Sequence, residues 1–211
     1  MKRCFIVGAG SIFEGDLPFE TAKEDLVIAA DGGLLALQKS GMTPDLLIGD
    51  FDSMNNPNLP IETMVLPVEK DDTDLVYAVK EGLARGYRDF VLYGGLGGTR
   101  FSHTFANLQL LAYLKEQGGR GVLVGGKTRI WLLKEESMSL SLPTQAHYSV
   151  FAYSPQAVVS LDGLYYSLEK GQLTNWFPLG VSNHPVDSQT TITVHEGTVL
   201  LIVEEYKNRC R

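Results

Sequence analysis

Short apolar runs punctuate the first two thirds of the chain, each followed by glycine, proline or aspartate: Cys4–Val7, Leu26–Ala30, Leu46–Ile48, Thr63–Leu66, Phe90–Tyr93 and Val122–Val124. Runs this short and unbroken read as strands buried on both faces. Helical periodicity lies between them. Asp74–Arg85 places Leu75, Val79 and Leu83 on one face, and Phe101–Glu116 places Phe101, Phe105, Leu108 and Ala112 on one face. A further helix is expected to begin near Leu34. Alternating strands and helices predict a mostly parallel sheet covered on both sides. From Ser137 the pattern changes. Ser137–Leu142, Tyr148–Tyr153, Ala157–Leu161, Thr190–His195 and Val199–Glu205 are short and rich in β-branched and aromatic residues. The turn signals Ser154-Pro155, Asp162-Gly163 and Glu196-Gly197 separate them, as in an antiparallel sandwich or barrel. The expected fold class is α/β: a mostly parallel α/β domain over residues 1–135, then a smaller antiparallel β-sandwich domain over 136–211.

Composition narrows the partners. A chain of 211 residues with 44% hydrophobic residues can bury a real core. Its net charge of −7 argues against nucleic-acid binding, which needs a basic surface. A nucleotide remains possible, because a metal can neutralise its phosphates. Cys4 and Cys210 are the only cysteines, so neither zinc spacing nor a disulfide framework is available. The Cys4–Val7 run is too short for a signal peptide, and no apolar stretch approaches a membrane span. The expectation is a cytoplasmic protein that engages no membrane.

The chemistry concentrates in acidic positions at strand ends and helix starts. Asp31 follows Leu26–Ala30, Asp50 and Asp52 flank Phe51 after Leu46–Ile48, and Asp71, Asp72 and Asp74 precede or open a helix. Each has an ordinary explanation. Asp31 could cap the helix near Leu34, and Asp71 or Asp72 could cap the helix from Thr73. Taken together they exceed what caps need. Asp50 and Asp52 alternate across an extended segment and so face one way, while Asp71 and Asp74 share a face of a first helical turn. Gathering like charges is costly without a cation, and carboxylates at sheet ends suit Mg²⁺.

Three glycine-rich segments need sorting. Gly8-Ala9-Gly10 lacks the third glycine of a dinucleotide fingerprint, since position 13 is Phe13, and reads as a tight turn near a substrate loop. Gly121–Thr128 matches the P-loop expression, but its variable positions form a strand and a β-rich run follows where a helix is required. Gly94-Gly95-Leu96-Gly97-Gly98-Thr99-Arg100 differs, because it follows a strand and opens the Phe101 helix. A glycine turn at a helix start favours anions, and Arg100 beside it reads as a phosphate ligand. His103 reads equally as a substrate contact or as a structural histidine, and Asn107 extends the same polar stripe.

Together, Ala30-Asp31-Gly32-Gly33, Pro44-Asp45 through Gly49-Asp50-Phe51-Asp52-Ser53, Lys70-Asp71-Asp72-Thr73-Asp74, Gly94 through His103 with Ala106-Asn107, and Gly180-Val181-Ser182-Asn183 resemble the thiamine pyrophosphokinase family. The resemblance implies transfer of pyrophosphate from ATP to thiamine, in a homodimer with its active site between subunits. It implies Mg²⁺ on Asp50, Asp52 and Asp74, with Asp71 completing the catalytic acidic set and Asp31 nearby as a cofactor contact. Gly32, Gly33, Thr73, Gly97, Gly98, Thr99, Arg100 and His103 would surround ATP, and Ser182 and Asn183 would contact thiamine. Ser102 stands where the family has Asp, and the glycine turn is a residue longer than in some members. Trp176 reads as a stacking partner for the thiazolium ring or as sandwich core, and Trp131 as core. Competing readings are a Mg²⁺-dependent nucleotide or phosphodiester hydrolase and a non-catalytic thiamine or nucleotide sensor.

Overall fold

The computed structural model describes residues 2–50, 60–67, 72–141 and 145–206, in two compact units, Met1–Gly126 and Lys127–Arg211. In the first unit, β1 (Cys4–Val7), β2 (Leu26–Ala30), α1 (Gly33–Lys39), β3 (Leu46–Gly49), β4 (Glu62–Val65), α2 (Asp74–Ala84), β5 (Asp89–Tyr93), α3 (Phe101–Glu116) and β6 (Arg120–Gly125) follow one another. The strands lie parallel in the order β4-β3-β2-β1-β5-β6. Ile6 of β1 sits between Ile28 of β2 and Leu92 of β5. All residues of β1, β2 and β3 are buried, as the unbroken apolar runs require. Phe5, Val7, Val27, Ala29, Leu34, Leu37 and Leu47 join one core cluster. β4 departs from that pattern. It pairs only with β3 and so forms the sheet edge, with Glu62 and Val65 exposed.

The helices correct several expectations. The N-cap of α2 is Thr73, whose Oγ1 accepts from Val76 N–H at 3.4 Å. Asp72 instead holds Lys80 in an ion pair. The N-cap position of α1 is Gly32, which has no side chain to cap with. In α3 the buried residues are Leu110, Leu111 and Leu114, while Phe101 is 79% and Phe105 53% exposed. Leu108 and Ala112 are half-buried. The helix is rotated away from the apolar face the sequence suggested, because Asn107 is drawn inward: its Nδ2 donates to the carbonyl of buried Gly95 at 2.8 Å.

The second unit is antiparallel. β7 (Thr128–Lys134), β13 (Thr198–Glu205) and β9 (Ala146–Ala152) form one layer, in the order β7-β13-β9. β11 (Leu168–Thr174), β10 (Gln156–Asp162), β12 (Thr190–Glu196) and β8 (Ser137–Leu140) form the other. Alternate residues, among them Tyr148, Val150, Val159, Leu161, Ile192, Val194, Leu201 and Val203, share one core, against which half-buried Trp131 packs. The division falls after Gly126, before the sequence boundary at residue 135, because β7 pairs along its length with β13. Gly121–Thr128 runs from β6 into β7, a strand where a P-loop needs a helix. β11 gave no clear signal, since its LEKGQLT sequence has only two large apolar residues and it lies at a sheet edge. No helix of the described residues is long and apolar enough to cross a membrane.

Candidate active site

The parallel sheet changes direction between β1 and β5. From β1 the chain goes outward to β2, β3 and β4, and from β5 it goes the other way to β6. Connections leaving neighbouring strands in opposite directions open a crevice beyond their carboxyl ends, where α/β sheets bind ligands. A cleft of about 730 Å³ opens there, within the size range of small-molecule sites. Gly8, Ala9 and Gly10 after β1, Asp31 after β2, Gly94 and Gly95 after β5, and the starts of α2 and α3 line it.

The first wall is made of backbone. Gly8 N–H donates to Tyr93 O at 2.9 Å, joining the two loops. A Cβ on Gly10 would lie 2.2 Å from Gly94 O, and one on Gly94, at φ +70°, would lie 2.4 Å from Gly8 O. Both positions therefore require glycine. This packing is what Gly8-Ala9-Gly10 serves.

The glycine-rich turn is fastened to the helix it precedes. Asn107 holds Gly95 O, and Thr104 Oγ1 donates to Gly97 O at 3.3 Å. Gly97 and Gly98 run at φ +73° and +89° and, with Thr99 and Arg100, line the cleft at the start of α3. Among the described residues no side chain caps this helix, so its first amides and the positive end of its dipole face the region where the turn ends. Arg100 is exposed and His103 half-buried, and both line the cleft. His103 N–H donates to Arg100 O at 3.1 Å.

Opposite stand the oxygen donors. Asp31 lies in the left-handed region at φ +49°, which costs a non-glycine residue on the order of 1 kcal/mol. Its N–H donates to Ile48 O at 2.7 Å, which fixes this conformation beside β3. Thr73 and Asp74 reach the cleft from the first turn of α2. Asp72 is held away by Lys80, whose pKa this hydrogen bond raises.

Thus Asp31, Thr73, Asp74, Gly97, Gly98, Thr99, Arg100 and His103 share one cleft. Gly32, Gly33 and Asp50 do not line it. Gly33 serves close packing, since a Cβ there would lie 1.8 Å from Val7 O. Asp50 directly follows β3 and is half-buried. Asp52 and Asp71 lie outside the described residues. Among the described residues no group of three or more His, Cys, Asp or Glu side chains is gathered as a metal site. Sequence reasoning missed Ser11, which also lines the cleft. The tight turn expected at Gly8-Ala9-Gly10 was the signal for it.

On the second unit, Asn183 is a buried clamp. Its Nδ2 donates to Tyr166 O at 2.8 Å, and its Oδ1 accepts from Tyr166 N–H and His184 N–H, each at 3.0 Å. Ser182 is exposed at φ +56°, with its N–H donating to Ser149 Oγ at 3.0 Å. Trp176 is 69% exposed, so within this chain it is not core.

Residues 19–123 match the family model described as thiamin pyrophosphokinase, catalytic domain. A curated thiamine pyrophosphokinase from Bacillus subtilis is 25% identical over 195 residues, covering 89% of this chain and 91% of its own length. The crystal structure of thiamine pyrophosphokinase from Bacillus subtilis superposes with a TM-score of 0.87 at 23% identity, covering 98% of this chain and all of its own. That of the Geobacillus thermodenitrificans protein gives 0.83 at 24% identity, with both chains fully covered. The Candida albicans thiamin pyrophosphokinase keeps a TM-score of 0.78 at 14% identity, over 97% of this chain and 89% of its own.

Proposed function

We propose that this chain, whose residues 19–123 match the thiamin pyrophosphokinase catalytic-domain model, is a member of that family and transfers pyrophosphate from ATP to the hydroxyl of thiamine, giving thiamine diphosphate and AMP. One observation carries the reading. The cleft at the strand switch point joins a glycine turn, a helix start and Arg100 with the oxygen donors Asp31, Thr73 and Asp74. One side suits phosphate oxygens and the other a hard cation.

The donor set fits Mg²⁺, since the acidic side of the cleft offers only oxygen ligands. Asp50, Asp52 and Asp74 are proposed to hold it, with Asp31 and Asp71 beside them. The chemistry Mg²⁺ supplies there is neutralisation of the polyphosphate as charge shifts toward the leaving AMP. The chain's own residues do the positioning. Gly97, Gly98, Thr99 and Arg100 hold the phosphates, and His103 borders the nucleotide. A carboxylate of the acidic set takes the proton of the thiamine hydroxyl as its oxygen attacks the β-phosphorus. The bond to the α-phosphate oxygen breaks, and AMP leaves. Most of the acceleration comes from orientation and fixed charge.

Thiamine falls to the second unit, with Ser182 as a direct contact, Asn183 holding its loop and Trp176 stacking on the cationic ring. The exposed run of Trp176, Phe177, Leu179 and Val181 supports a homodimer with the active site between subunits, and the proposed setting is the cytoplasm. The test is AMP release from ATP and Mg²⁺, with and without thiamine, with the product identified by mass. AMP and thiamine diphosphate forming together, only with thiamine, is the expected result. AMP without thiamine would replace the reading with a hydrolase, and thiamine binding without AMP would replace it with a sensor.

A further inference from the structure

We infer that Asp16 is a positioning residue, which braces the glycine turn of the cleft through Phe13. The inference rests on the proposed function for its catalytic consequence, but not for its geometry. Asp16, Phe13 and Gly126 all lie outside residues 19–123, the part of the chain that matches the family model.

Asp16 is only 4% exposed, although it is a carboxylate in a loop. Its Oδ2 accepts from Phe13 N–H at 2.8 Å, and its Oδ1 accepts from Gly126 N–H at 2.8 Å. The Asp16 N–H in turn donates to Phe13 O at 3.1 Å. One side chain thereby ties the loop after β1 to the turn after β6, 110 residues away. A buried carboxylate is tolerated when amides satisfy it, and these two charge-assisted bonds do so.

Phe13 occupies the space that this tie defines. A Cβ on Gly125 would approach Phe13 Cε2 at 3.1 Å, and a Cβ on Gly126 would approach Phe13 Cβ at 3.1 Å. The glycine pair of the apparent P-loop is therefore the seat of an aromatic ring. The far end of that ring faces the cleft turn: a Cβ on Gly97 would meet Phe13 Cζ at 3.5 Å and Ser11 Oγ at 3.6 Å. Gly97 and Ser11 both line the cleft. Phe13 is 43% exposed, so its burial does little for the core, whereas its position limits how far the Gly97-Gly98 turn can shift. A turn of glycines at positive φ has little stiffness of its own. Thr104 and Asn107 hold it on the helix side, and Phe13 holds it on the other.

Asp25 supplies a matched control. Its carboxylate also accepts from two backbone amides, Arg3 N–H at 2.7 Å and Ala22 N–H at 2.9 Å, but just before β2, at the end of the sheet away from the cleft. The experiment compares wild type, Asp16→Asn, Phe13→Ala and Asp25→Asn by hydrogen exchange of a peptide covering residues 93–101, and by steady-state kinetics with ATP and thiamine varied separately. Asp16→Asn and Phe13→Ala are expected to speed exchange in that peptide. They should lower kcat/KM for ATP by roughly 10-fold to 100-fold, the range that sub-ångström to ångström misplacement produces. The change should appear in the ATP KM and leave the thiamine KM unaltered, and Asp25→Asn should do neither. A merely structural role for Asp16 would lower the active fraction without moving the ATP KM, and that result overturns the inference. Unaltered exchange at residues 93–101 in both Asp16→Asn and Phe13→Ala also overturns it. A wild-type protein that makes no thiamine diphosphate refutes the functional reading alone, and the exchange comparison then decides the brace by itself.

Discussion

Replacing Asn107 tests how the site is built. Its amide nitrogen donates to the carbonyl of Gly95 at 2.8 Å, and a Cβ on Gly95 would meet that nitrogen at 3.3 Å, so the two groups are in close contact. Gly95 is buried, and Asn107→Ala strips its carbonyl of this donor. The cost is the desolvation of that carbonyl, about 1–3 kcal/mol of folding stability. Asn107→Asp should cost more, because a carboxylate would place negative charge against the carbonyl dipole. Thr104→Val removes only a bond of 3.3 Å at the exposed Gly97 and should cost about 0.5 kcal/mol, the low end for a single hydrogen bond. Urea unfolding of the three variants gives the ranking, and ATP kinetics show whether the loosened turn reaches the phosphates. Equal losses for Asn107→Ala and Thr104→Val, or an Asp variant as stable as wild type, would refute the view that Asn107 is the bolt that sets this turn.

Three further outcomes follow from the structure. Burial works to raise the Asp25 carboxyl, but the amides of Ala22 and Arg3 and the Arg3 guanidinium overcome it, so its pKa lies below the ordinary 3.8. Asp25 therefore adds stability at neutral pH that is lost as pH falls below about 4, and the stability gap between wild type and Asp25→Asn should narrow through that window in acid titrations. Leu114→Ala empties a fully buried site between α3 and the sheet and should cost about 2–5 kcal/mol in chemical unfolding. Trp176→Ala should change folding stability by no more than about 0.5 kcal/mol, as expected of an exposed residue, while raising the thiamine KM; an unaltered KM would remove Trp176 from the site.

The strands were legible wherever burial on both faces left an unbroken apolar run. β1, β2, β3 and β5 fall within a residue of the sequence reading, and α3 has the same bounds. Edge positions were harder. β4 borders a single strand and β11 borders a single strand, so packing imposes little on their composition. The cleft was legible as a set of motifs after strands. Its geometry was not, because Gly10 and Gly94 meet across a large sequence separation and no local pattern encodes their contact. The cap of α2 could not be chosen from sequence for a related reason. Asp71, Asp72 and Thr73 are all good capping residues by type; in the structure Thr73 is the N-cap and Asp72 pairs with Lys80.

The rotation of α3 shows why a functional element misleads a periodicity argument. Counting apolar residues puts Phe101, Phe105, Leu108 and Ala112 inward, yet the first two are largely exposed. The C-terminal half obeys the hydrophobic effect, with Leu110, Leu111 and Leu114 against the sheet. Residues on that same side, carried back toward the N-terminus, are Asn107 and His103, both polar and both lining the cleft. Turning the helix to bury Phe101 and Phe105 would swing Asn107 away from Gly95 and release the glycine turn. A buried carbonyl without its donor costs about 1–3 kcal/mol, and the same turn would draw Leu110, Leu111 and Leu114 off the sheet, which offsets the gain from the two aromatics. The polar anchor decides it, and the helix then presents its first turn, with Arg100 and Thr99, to the cleft.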